Sequence, residues 1–207
     1  GGSIGTEGDM SAPAVIAFAG PPGSGKTALI AALRERLPAS TVLFLDGFDN
    51  PATSLSRDEL AAWLRGGARF EDFVVPGLAQ ALAALRAGRA AVEPLSGRSV
   101  PPGRPVLFEM PLGRAHLPTA AMIDLLVWLD TPPDVALARN LLAWERQIPP
   151  PPRAWLERYA GEYLALTRDV LAAQATAVAG HADLRLDGMV PVAEAAGRLM
   201  IELQHRG

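Results

Sequence analysis

The run Gly20-Pro21-Pro22-Gly23-Ser24-Gly25-Lys26-Thr27 matches G-x-x-x-x-G-K-[ST] in full. The spacing has a chemical reason. Its glycines let the backbone wrap tightly enough for successive N–H groups, out to Ala28, to face phosphate oxygens. A helix opening at the end of the loop adds the partial positive charge of its N-terminus. Lys26 then reaches the β- and γ-phosphates of a nucleoside triphosphate, and the Thr27 hydroxyl is placed to ligate Mg²⁺. The alternative is a glycine-rich turn that binds nothing. The complete motif in a strand–loop–helix setting favours the phosphate reading.

Three acidic groups end apolar runs. Asp46 follows Thr41–Leu45, Glu109 closes Val106-Leu-Phe-Glu109, and Asp130 closes Leu125–Leu129. In a parallel sheet, the carboxyl ends of the strands line the ligand crevice. A carboxylate at Asp46 can take the proton of a hydroxyl attacking the γ-phosphate. It can also be a turn or cap residue, and Asp49 is open between the same two readings. Glu109 can hold Mg²⁺ through water or orient a substrate. Asp130, before Thr-Pro-Pro, reads as a cap for the next helix.

The surrounding elements must position these groups. Ala14–Ala19 is a short apolar strand, and Lys26–Leu37 has helical spacing ended by Pro38. Thr41–Leu45, Val106–Glu109, Leu125–Asp130 and Asp183–Leu186 are four further strands. Ser56-x-x-Glu59 is a capping box that opens a helix over 57–65. Further helices are expected over 77–86, 133–147, 153–177 and 192–205, with the Pro149–Pro152 tract as a stiff spacer. Residues 89–105 read as irregular, with room for one or two edge strands. Alternating strands and helices predict an α/β fold: a three-layer P-loop domain with a five-stranded, mostly parallel sheet.

Composition narrows the classes. The chain has 207 residues, no cysteine and a net charge of −3. One domain over 13–207 is expected, after a Gly-rich leader at 1–12 that Met10 interrupts. The near-balanced charge argues against nucleic acid and membrane surfaces as partners. No stretch has the ~18 consecutive apolar residues of a membrane span. Lack of cysteine excludes a disulfide framework and is compatible with the cytoplasm. Of 19 basic residues, 18 are arginine, and the only lysine is Lys26. A Ras-like GTPase needs a second lysine in its base-reading motif, and the chain is short for a motor or ring ATPase. Leu95-Ser-Gly-Arg98 is similar to a transporter-ATPase signature but opens no helix. Small kinases remain.

Weaker signals have bland readings. Trp155, Tyr159 and Tyr163 recur every four residues, as a packing stripe does. Phe70 and Phe73 read equally as core or as acceptor wall. Arg146, Arg153 and Arg158 read as a solvated helix face. His116, His181 and His205 share no ligand spacing.

The order GPPGSGKT, LDGFD, Phe70-Glu-Asp-Phe73, LFEMP, VWLDTPPDVALAR and ADLRLDG resembles the uridine kinase, phosphoribulokinase and bacterial pantothenate kinase-like family of P-loop kinases. The resemblance spans about 14–188. LDGFD lacks that family's Ser and Tyr, and Met110 stands where it has Gly. The resemblance implies ATP and Mg²⁺ as cofactors and transfer of the γ-phosphate to a hydroxyl of a small metabolite. It also implies Asp46 as base, Glu109 near Mg²⁺, and Arg139 opening a small helical lid over 139–153. There Arg139 would neutralise charge on the transferring group. Sugar-acid and nucleoside monophosphate kinases are alternatives, as is a nucleotide-dependent regulatory module. A homodimer stays open.

Overall fold

The computed structural model describes residues 13–206, so the expected leader at 1–12 lies outside the described residues. The first half runs β1 (Val15–Ala19), α1 (Lys26–Arg36), β2 (Thr41–Phe44), α2 (Arg57–Arg65) and α3 (Leu78–Arg86). A short hairpin follows, β3 (Ala91–Glu93) and β4 (Arg98–Val100), then β5 (Val106–Glu109) and α4 (Leu117–Ala120). The second half runs β6 (Leu125–Asp130), α5 (Pro133–Glu145), α6 (Arg153–Glu162), α7 (Arg168–Ala179), β7 (Leu184–Asp187) and α8 (Val192–Arg206).

Five strands form one sheet in the order β2-β5-β1-β6-β7, and every neighbouring pair is parallel. Such a sheet needs cover on both faces. Ile16, Phe18, Leu125 and Val127 pack on one side with Leu29 and Leu33 of α1 and Leu199 of α8. On the other side, Val15, Ala17, Leu126 and Trp128 pack with Leu78 and Leu82 of α3 and Val178 of α7. Successive strand residues point to opposite layers, and for that reason the strands read as unbroken apolar runs. The result is a three-layer α/β/α fold. Phe18 and Phe108 are fully buried, each worth about 1.5–3 kcal/mol of transfer free energy.

The order reverses at β1. The chain goes out to the edge at β2, returns to β5 beside β1, then crosses to β6 on the other side. That reversal opens a crevice at the carboxyl end of β1, where the Gly20–Thr27 loop lies.

Local signals explain most boundaries. Ser56 Oγ accepts from Glu59 N at 3.3 Å, and Glu59 Oε2 accepts from Ser56 N at 2.8 Å, so the capping box starts α2. The expected helix over 153–177 is longer and broken: a π turn over Tyr163–Thr167 separates α6 from α7. Residues 89–105 hold the two short strands the sequence left room for, but they pair with each other and not with the main sheet: Ala91–Glu93 runs antiparallel to Arg98–Val100.

Asp130 is a correction. Helix α5 is preceded by Pro132, and no side chain caps it. Asp130 Oδ2 instead accepts from Arg185 at 2.6 Å, across from β6 to β7. Two residues separate Asp130 from the helix start, and a cation on the adjacent strand takes the carboxylate first. Phe70 and Phe73 settle as core, at 4% and 8% exposure. Trp63 meets both, at 4.8 and 5.2 Å between ring centres. His116 is buried: its Nε2 accepts from Val75 N at 3.1 Å and its Nδ1 faces Thr119 Oγ1 at 2.8 Å. Burial lowers its pKa, in keeping with an Nε2 that accepts a backbone hydrogen bond. No helix among the described residues is long and apolar enough to cross a membrane.

Candidate active site

The loop after β1 needs backbone that only glycine adopts freely. Gly25, at φ 104°, turns the chain into α1. Gly23, at φ 82°, lies so close to α5 that an added Cβ would stand 2.2 Å from the Ala136 carbonyl oxygen. Thr131 Oγ1 donates to Ser24 O at 3.0 Å and ties the loop to the end of β6.

Lys26 is 6% exposed at the start of α1. Its Nζ donates to Gly20 O at 2.9 Å and Pro21 O at 3.0 Å, and lies 3.5 Å from Ser24 Oγ. The ammonium therefore points into the ring of the loop. Burial lowers its pKa, while the charges of Glu109 and Asp46 act to raise it. Glu109 shows the reciprocal effect. Burial pushes its carboxyl up, Lys26 pulls it down, and Asp46 pushes it up again. Three groups from three separate segments thus share one electrostatic environment. Glu109 sits at the end of β5, beside β1, and Asp46 in the single turn Leu45–Gly47 after β2. Asp46 and Asp49 are both exposed, as is Thr27 in the first turn of α1.

Glu109 carries a testable sign. Its folded pKa lies above the unfolded value, so between the two the folded chain holds more protons and loses stability as pH rises. The penalty is complete once the pH exceeds the folded pKa. Glu109→Gln is therefore expected to raise the melting temperature of the ligand-free protein at pH 7, and to lose that advantage below pH ~4. Turnover should fall in the same variant. Thermal melts across pH check the first effect and ADP release the second.

Arg139 lies elsewhere than the Lys26 group. Its guanidinium donates to Gly188 O at 2.9 Å, in the turn between β7 and α8. There it lines a cavity of 240 Å³ with Ser24, Gly25 and Ala28 at the start of α1. Leu29, Leu129 and Val190 make its other walls apolar. A second, larger cleft of 750 Å³ opens beside the crest of the loop. Pro21 and Pro22 form one wall, with Trp128, Asn140, Tyr159 and Tyr163 around it. Tyr159 stacks on Trp155, ring centres 5.4 Å apart, and Trp144 meets both edge-on. The aromatic stripe thus packs α5 against α6 and also lends the cleft its tyrosines. Arg153 pairs with Glu157 on the exposed face. Arg146 and Arg158 are exposed too.

Sequence reasoning did not find Asn140, Gly188 or the apolar slot. The DLRLDG run, ending at Gly188, signalled the segment but not its contact with Arg139.

The donor set fits a metal that arrives with phosphate. Among the described residues, no group of three or more His, Cys, Asp or Glu side chains could hold an ion alone. The Thr27 hydroxyl and the carboxylates of Glu109 and, further off, Asp46 are the groups near the loop that suit such an ion. Mg²⁺ is commonly held by such a sparse set together with substrate phosphates and water.

No family model matches the chain, and no curated protein does. Among solved structures, it is similar to a sugar kinase from Janibacter sp. HTCC2649, at 16% identity and a TM-score of 0.49, over 92% of this chain and 94% of that one. It is also similar to a gluconokinase from Sinorhizobium meliloti 1021, at 18% identity and a TM-score of 0.44, over 94% and 98%. Likeness at this level says nothing of the reaction. What the residues establish is an α/β fold with a complete phosphate-loop motif, whose single lysine lies within electrostatic reach of Glu109 and Asp46.

Proposed function

We propose that this chain is an ATP-dependent, Mg²⁺-dependent phosphotransferase acting on a hydroxyl of a small metabolite. The observation that carries the reading is the placement of Lys26 after β1, Asp46 after β2 and Glu109 at the end of β5, all at the carboxyl edge of the sheet. A loop that only bound nucleotide would need the lysine but not a second, exposed carboxylate beside it.

The residues divide the work. Backbone amides from Gly20 to Ala28 and the N-terminus of α1 take the phosphates. The apolar slot at Leu29, Leu129 and Val190 suits the flat base of the nucleotide, with Arg139 at its wall. Lys26 exchanges its loop carbonyls for phosphate oxygens and balances charge in transfer. Thr27 and Glu109 would hold Mg²⁺, which when bound neutralises the β- and γ-phosphate oxygens. Asp46 orients the acceptor hydroxyl and takes its proton.

A cleft of 750 Å³, a volume in the range of small-molecule sites, opens beside Pro21 and Pro22 on the β6 side of the loop, but Asp46 is not in its wall, so the acceptor hydroxyl is not placed there. Its arginines are already faced by acids: Arg185 by Asp130 at 2.6 Å and Arg168 by Asp169 at 3.5 Å. A second phosphate would need cations without such partners. The cleft therefore offers no ready clamp for a second phosphate. Under this reading uridine-like and sugar-acid alcohols are both candidate acceptors.

ADP release measured with uridine, uridine monophosphate, D-gluconate, shikimate and pantothenate tests the reading. One unphosphorylated alcohol is expected to raise the rate above that with water alone. The uniform rate of a slow hydrolase, whatever alcohol is added, would instead favour a regulatory module.

A further inference from the structure

The turn that carries Asp46 is held by the β3–β4 hairpin. Strand β2 is the outer strand of the sheet, paired only with β5. Its outward N–H and C=O groups have no strand to meet. The hairpin meets them with side chains. Glu93, 3% exposed, accepts from Phe44 N through Oε1 at 3.0 Å. Its Oε2 accepts from Arg98 Nε at 2.8 Å, and Arg98 Nη2 bonds Oε1 as well. The same guanidinium donates to Val42 O at 2.9 Å and lies over the Phe44 ring, 5.2 Å from its centre.

The other side of the turn is gripped too. Leu95 N donates to Gly47 O at 3.0 Å. Gly47 packs flat on the Glu93 side chain, and a Cβ there would stand 2.6 Å from Glu93 Cβ, Cγ and Cδ. Asp46 thus sits between two fixed points, Phe44 before it and Gly47 after it. Both are fixed by Glu93 or its neighbour. A buried ion pair is a poor source of stability compared with apolar packing of the same shape. Its planar, two-pronged geometry is a good source of orientation.

We infer that Glu93 is a positioning residue for Asp46: with Arg98, it fixes the turn that presents the Asp46 carboxylate to the acceptor hydroxyl. This rests on Asp46 acting as the base.

The experiment is a double-mutant cycle on ADP release, run with whichever of uridine, D-gluconate, shikimate or pantothenate turns over fastest, and with water if none does. Glu93→Gln is expected to lower kcat roughly 10- to 100-fold, the cost of a misplacement of about 1 Å. KM for ATP should be unchanged, because the hairpin's hydrogen bonds go to Val42, Phe44 and Gly47 around the end of β2 and not to the loop after β1. In the Asp46→Asn background, Glu93→Gln should cost nothing more. A residue with a merely structural role would lower the rate by the same factor in both backgrounds, and that result overturns the inference, as does a normal kcat in Glu93→Gln. Should Glu93→Gln fail to fold, Gly47→Ala applies the same push from the opposite side and is judged by the same cycle. If Asp46→Asn alone turns over normally, the base assignment itself has failed, and the cycle shows that separately.

Discussion

Lys26→Ala is expected to lower turnover of MgATP roughly 100- to 1,000-fold, the usual cost of removing one preorganised donor from a transferring group. The structure gives the reason for so large an effect. The ammonium is buried in the ring of the loop, held by the carbonyls of Gly20 and Pro21, and it is the only lysine in the chain. No other lysine can substitute. Lys26→Arg is expected to fail nearly as badly, although it keeps the charge. A planar guanidinium cannot replace a compact ammonium with three rotatable donors in that space. Steady-state ADP release, with nucleotide affinity measured separately, checks both variants. A Lys26→Ala protein with near-normal turnover would remove the loop from the chemistry.

Asp46→Asn should behave differently. Loss of a general base costs roughly 100- to 10,000-fold in rate. Here that loss should fall on kcat while nucleotide affinity stays within about a factor of two, an order-of-magnitude bound that follows if the interaction is made only in the transition state. The side chain is exposed and leaves the loop intact, so the fold should be unaffected. The two variants therefore split the site. Under the proposed function, Lys26 would act on nucleotide and transferring group alike, and Asp46 on the acceptor alone.

What was legible in the sequence was what depends on near neighbours. The loop declares itself because its glycines, lysine and threonine must be contiguous to wrap a phosphate. The strands declare themselves because both faces of a parallel sheet are covered, which forces apolar residues at every position. Helix α2 was readable to its ends because Ser56 and Glu59 bond each other across a single turn. Asp46 and Glu109 were readable as site candidates because the carboxyl ends of parallel strands face one crevice.

The rest depends on partners far along the chain. Asp130 looked like a cap because only its neighbours were visible, whereas its partner Arg185 lies 55 residues away on β7. Glu93 carried no signal at all. Its role comes from the outward N–H of Phe44, 49 residues earlier, and exists only because β2 lies at the sheet edge. Arg139 was readable as a basic residue on a helix, but its hold on Gly188 O needs the β7–α8 turn to be folded beside it. The π turn at Tyr163–Thr167 left no pattern, because the extra residue shifts the helix face without changing composition.

The central claim is transfer to a hydroxyl, and phosphorus NMR of the product mixture tests it most directly. MgATP is incubated with the protein and the alcohol that most stimulates ADP release. A phosphomonoester signal should grow in step with ADP, and roughly 100-fold or more slowly with Asp46→Asn. Orthophosphate as the sole new product, with every alcohol tried, would contradict the account.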